Sequence, residues 1–99
     1  MVAQPLLQRG IRIFYHQLVV EVLAEAISAA WKRISGEVLD PTDARHLASI
    51  ALREEHDQAW VVVGSAFRAA ETQDYHDEEL LDLDAEILTY RLVDKGYLG

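Results

Sequence analysis

Between positions 17 and 32 the polar residues recur every three or four places: Gln17, Glu21, Glu25, Ser28 and Lys32. On a helix turning about 100° per residue they share one narrow stripe. Leu18, Val19, Val20, Val22, Leu23, Ala24, Ala26, Ile27, Ala29, Ala30 and Trp31 cover the rest. The pattern predicts a first helix from Ile11 to Ser35. Lys32 and Arg33 complement its carboxyl-terminal dipole, and Gly36 supplies a left-handed cap. The start is less sharply marked. Pro5 suits an earlier turn, Gly10 suits a break, and Ile11 to Tyr15 has the composition of a short strand.

A second helix is predicted from Asp40. Asp40 is a good N-cap, Pro41 fits the first helical position, and Asp43 sits in the first turn. Leu39 and Ala44 are spaced for a hydrophobic staple. If it runs unbroken to Ala70 it is about 46 Å long. Its apolar arc holds Ala44, Ala48, Ala51, Leu52, Ala59, Trp60, Val62, Val63, Ala66, Phe67 and Ala70. Two features test its continuity: the polar block from Arg53 to Gln58, and the strand-like composition of Trp60 to Gly64. Flanking alanines and the absence of a turn signal before Trp60 favour helix.

A third helix is predicted from about Asp77 to Lys95. Gly96 and Tyr97 form its Schellman ending, with Tyr97 placed to meet Leu92. This helix carries two apolar stripes. Leu80, Leu83, Ile87 and Tyr90 form one, and Leu81, Ala85, Leu88 and Leu92 form the other. Glu78, Glu79, Asp82 and Glu86 face elsewhere.

The expected fold is all-α: a small bundle of three main helices in a single domain spanning residues 1–99, completed by homodimerisation. The dimer is inferred from the first helix, which is apolar over roughly two thirds of its circumference, whereas a surface helix needs a stripe only a little wider than about 100°. Two other helices leave part of that surface uncovered, and such a patch marks an interface. The expected interface residues are Val19, Leu23, Ile27, Trp31 and Trp60.

Composition narrows the partners. The chain has 99 residues, 51% hydrophobic, and no cysteine, which excludes disulfides and thiolate chemistry. The net charge of −8 is uneven. Residues 1–36 are net basic, while the stretch from Glu71 to Glu86 holds eight acidic residues and no lysine or arginine. Such a surface repels phosphate backbones, so nucleic acid is not an expected partner, and a basic protein contacting the 71–86 segment is. No apolar run is long enough to span a bilayer and no signal sequence is read at the start, so a cytoplasmic location and no membrane contact are expected.

Four residues are candidates for a ligand pocket: Glu55, His56, His16 and Asp84. Glu55 falls in the middle of an apolar arc, where a carboxylate must be paired or protonated. One reading makes it a general base or ligand-binding group with His56, His16 or Asp84. The other makes it a buried ion pair with Arg12, Arg45 or Arg91, or has the helix kink in the polar block and expose it. His16, His46, His56 and His76 show no metal-binding spacing, and no metal or cofactor is expected. Two E-x-x-D pairs occur, Glu54 with Asp57 and Glu79 with Asp82. The run Glu78-Glu79-Leu80-Leu81-Asp82 resembles the E-x-x-D pair with which all-α nucleotide pyrophosphohydrolases of the MazG type hold magnesium. The resemblance covers that stretch alone and implies a magnesium-dependent nucleotide hydrolase. The first pair departs from the family's E-x-x-E, and helical wheels put both pairs on polar arcs. The leading expectation is therefore an acidic, homo-oligomeric interaction or regulatory module. The alternative is a small all-α enzyme or ligand binder built on the carboxylate and histidine pocket.

Overall fold

The computed structural model describes the backbone of residues 3–99 and the side chains of residues 15–99. Every element among the described residues is a helix: α1 (Ala3–Ser35), α2 (Pro41–Glu54), α3 (His56–Thr72) and α4 (Tyr75–Asp94). The three expected main helices are thus four. The backbone of Ile11 to Tyr15 is helical, and so is Trp60 to Val63.

The predicted terminators act as expected. Gly36 has φ +79° and its N–H donates to the Lys32 carbonyl at 2.9 Å, a left-handed cap on α1. The Asp40 carboxylate accepts from the Thr42 N–H at 2.7 Å, with Pro41 at the first helical position of α2. At the end of α4 the Tyr97 N–H donates to Leu92 O (2.9 Å) and the Gly96 N–H to Val93 O (3.0 Å), the two bonds of a Schellman motif. The start of α4 lies two residues ahead of the predicted Asp77, because Asp74 is its N-cap and accepts from the His76 N–H at 3.0 Å.

The long second helix breaks at Glu55, where φ −127° and ψ 47° leave the helical region. The reason lies in the polar block. Within the block from Arg53 to Gln58, Glu55 turns inward to Arg91 and Lys95, and the chain bends at that residue. The bend retains its hydrogen bonds: Glu55 N–H to Ala51 O and Ala59 N–H to Glu55 O, each 2.8 Å. It also gives α1 a third packing partner.

One contiguous core results. Val19, Leu23, Ala26, Ile27 and Ala30 of α1 meet Leu47, Ala48, Ile50 and Ala51 of α2, Ala59, Val62 and Val63 of α3, and Ala85, Leu88 and Leu92 of α4. Among the described residues the one fully buried polar side chain, Thr89, donates its hydroxyl to Ala85 O at 2.7 Å and so costs no lost hydrogen bond. Val19, Leu23 and Ile27 are at most 1% exposed and Trp31 is also buried, so these four proposed interface residues are core within a single chain. Three helices, not two, pack against α1. Of the five, Trp60 retains substantial exposed surface.

Candidate interaction surface

Among the described residues, α4 carries an exposed apolar stripe in addition to the one it buries. Leu81, Ala85, Leu88 and Leu92 face the core. The opposite stripe stays in solvent: Leu80 is 38% exposed, Leu83 56%, Ile87 45% and Tyr90 52%. These four recur at i, i+3, i+7 and i+10, the spacing of a coiled-coil seam. On α3, Trp60 and Val61 are also exposed, and with Gly64 and Leu80 they line a shallow depression of about 260 Å³ between the two helices. Arg68 and Asp77 complete its polar edge.

On the other flank of α4, Arg33 reaches from α1 to Glu86 (3.0 Å) and Asp82 (3.5 Å), which ties part of the acidic segment to the basic end of α1. Beyond it, a groove of about 740 Å³ runs between α1, α3 and α4. Val22, Ala26, Ala29, Phe67 and Leu81 line it, and Glu25, Glu78 and Asp82 edge it. Among the described residues no lysine or arginine lines the groove, and Arg33 pairs with Asp82 at its edge.

The four pocket candidates are not joined by any hydrogen bond or ion pair among the described residues. Glu55 is largely buried at the α2–α3 bend and is held by two cations, Arg91 of α4 at 3.1 Å and Lys95 at its C-cap at 3.1 Å. These contacts, Lys95 first, hold its carboxyl below the ordinary value of 4.5 against the opposing effect of desolvation. Lys95 also donates to Glu54 O at 3.1 Å, which satisfies a carbonyl at the carboxyl end of α2. Glu55 is therefore the latch that fastens the bend to the last turn of α4. Of the two structural readings of Glu55 from the sequence, the ion pair is the one with Arg91; the kink is present, but it leaves Glu55 largely buried rather than exposed. The Arg12 side chain lies outside the described residues.

His56 is exposed, 3.5 Å from Asp57 and with its ring 6.2 Å from that of Trp60. Asp84 accepts a hydrogen bond from the Ser65 hydroxyl at 2.6 Å, while the Gln58 amide donates to Asp84 O at 3.0 Å. Both bonds join α3 to α4. His16 lies in an open depression with Leu18, Val20 and the Arg45–Glu21 ion pair (2.7 Å). Glu54, Asp57, Glu79 and Asp82 are all exposed, and among the described residues no group of three or more histidines and carboxylates stands close enough to hold a metal ion. Near Glu54, the Tyr97 hydroxyl has its pKa raised above 10.0, first by its hydrogen bond to that carboxylate.

No helix among the described residues is long and apolar enough to cross a membrane. No family model, curated protein or solved structure matches the chain.

Proposed function

We propose that this chain is a self-associating interaction module that works by presenting surfaces rather than by catalysis. One observation carries the reading: α4 is apolar on two opposite sides, and the fold uses only one of them. Four large apolar residues at seam spacing, with Trp60 and Val61 alongside, form a patch of the kind that marks a protein contact. A second helix laid on that seam removes it from water.

The acidic 71–86 segment serves a second contact, with a basic protein. The support is the groove between α1, α3 and α4. Its floor is apolar and its edges are acidic, so an amphipathic helix with lysine or arginine on its polar side complements both. The residues once grouped as a pocket instead join helices to one another, as Glu55 and Asp84 do, or stand in solvent, as His56 and His16 do.

Light scattering on Leu83→Lys/Ile87→Lys tests the self-association. Both sites are exposed, so the fold tolerates the change, and a circular dichroism spectrum checks it. The expected result is a single-chain mass where the parent protein shows two. An unchanged mass of two chains rejects the α4 face as the contact.

A further inference from the structure

We infer that two copies pair through α4 in an antiparallel, two-fold arrangement with a fixed register: Leu83 packs against the partner's Ile87, Leu80 against the partner's Tyr90, and His76 against the partner's Asp94. This inference deepens the self-association proposed above and rests on it.

The spacing of the exposed stripe sets the register. Extended to both ends of α4, the stripe reads His76, Leu80, Leu83, Ile87, Tyr90, Asp94, with intervals of four, three, four, three and four. That series is the same read in either direction. A two-fold axis opposite position 85 maps it onto itself and pairs each residue with a different one. The match is also chemical. The short central pair is aliphatic, the next pair sets an aromatic ring against leucine, and the ends set histidine against a carboxylate. A parallel arrangement would instead place Asp94 on Asp94, a like-charge contact, and would lose the histidine–carboxylate pairing at both ends.

The depression beside Leu80 supports the same register. Antiparallel pairing brings the partner's Tyr90 onto Leu80, next to the hollow lined by Trp60, Val61 and Gly64. Gly64 has no close neighbour inside the single chain. It lies in the middle of α3, where glycine costs about 1 kcal/mol relative to alanine. A Cβ at Gly64 would meet nothing within 4 Å, so no contact within the chain demands its small size. A partner side chain entering the hollow accounts for a residue with no side chain at that point. At the edge of the hollow, Arg68 supplies positive charge for the partner's Asp94. Asp94 makes no ion pair among the described residues of its own chain.

Cysteine cross-linking tests the register, because the chain has no native cysteine to interfere. Positions 76 and 94 lie about 27 Å apart along one helix, far beyond the roughly 7 Å between Cα atoms that a disulfide spans. The variant His76→Cys/Asp94→Cys cannot close on itself, and it leaves the apolar seam intact. Under mild oxidation it is expected to form a covalent dimer, while His76→Cys and Asp94→Cys alone remain uncross-linked. Dimers from either single variant would establish parallel pairing and overturn the register, with self-association still standing. No cross-link in any variant, with the mass of two chains in solution, would place the contact on another face. A single-chain mass at all concentrations would remove both the register and the self-association. Gly64→Gln gives an independent reading. It is expected to raise the melting temperature of the dilute protein by improving α3 and to weaken dimerisation at least tenfold in sedimentation; unimpaired dimerisation would take the hollow out of the interface.

Discussion

Truncating a leucine on each side of α4 separates its two faces. Leu88 has no exposed surface and belongs to the core. Leu88→Ala removes its transfer free energy and leaves a cavity, a loss of about 3–4 kcal/mol. For 99 residues the unfolding entropy is about 0.2 kcal/mol/K, so the melting temperature falls by about 15 °C. Leu83 keeps over half of its surface exposed in the single chain. Leu83→Ala therefore costs the dilute protein no more than about 1 kcal/mol, or about 5 °C. The assay is thermal unfolding by circular dichroism at two protein concentrations about a hundredfold apart. Partner burial of Leu83 makes its penalty grow with concentration, because association stabilises by mass action, whereas the Leu88 penalty stays large at both. Equal, concentration-independent losses at the two positions would refute the assignment of one stripe to the core and the other to a contact.

Glu55→Gln is expected to flatten acid unfolding. A carboxyl held below 4.5 in the folded chain contributes stability that is present above the unfolded value and is lost as pH falls through the folded one. The parent and Glu55→Gln stability curves should therefore diverge above about pH 4.5 and converge in stronger acid. Parallel curves in urea titrations across that range would remove the latch. Gln73 closes α3 with φ +52°, a left-handed conformation that glycine adopts without strain. Gln73→Gly is expected to raise stability by about 0.5–1 kcal/mol in denaturant titration, and a loss would show that the residue's side chain matters more than its backbone. For the acidic groove, Glu25→Lys/Glu78→Lys is expected to weaken binding of a labelled leucine–lysine amphipathic peptide at least tenfold in fluorescence anisotropy. Binding as tight as that of the parent protein would reject the groove as a basic-partner site.

Much of this fold was legible in local chemistry. Asp40-Pro41, Gly36 and the Gly96-Tyr97 pair mark helix ends because each satisfies specific orphan backbone groups, and short-range rules capture such effects. The bend at Glu55 was legible as a polar block, but not as a bend. Its geometry depends on Arg91 and Lys95, some 40 residues away along the chain. That long-range event also explains why Val19, Leu23 and Ile27 are core residues. A straight second helix gives α1 two neighbours and leaves Val19, Leu23 and Ile27 for another copy, whereas a bent one gives three neighbours and buries them. The wheel of α4 correctly separated its two leucine stripes. Periodicity alone carried no signal for which stripe turned inward, since both are apolar. Glu55 stood out correctly as a carboxylate needing compensation. Its partners proved to be cations at the end of α4 rather than histidines, so the charge fastens helices together.

The most direct test is the mass of the unmodified protein across a dilution series, by light scattering or sedimentation equilibrium. Twice the chain mass of 11.2 kDa at high concentration, falling toward one on dilution, is the predicted outcome. A well-folded single chain at every concentration would contradict it, and would mean that Leu80, Leu83, Ile87 and Tyr90 stay in water without a second copy to cover them.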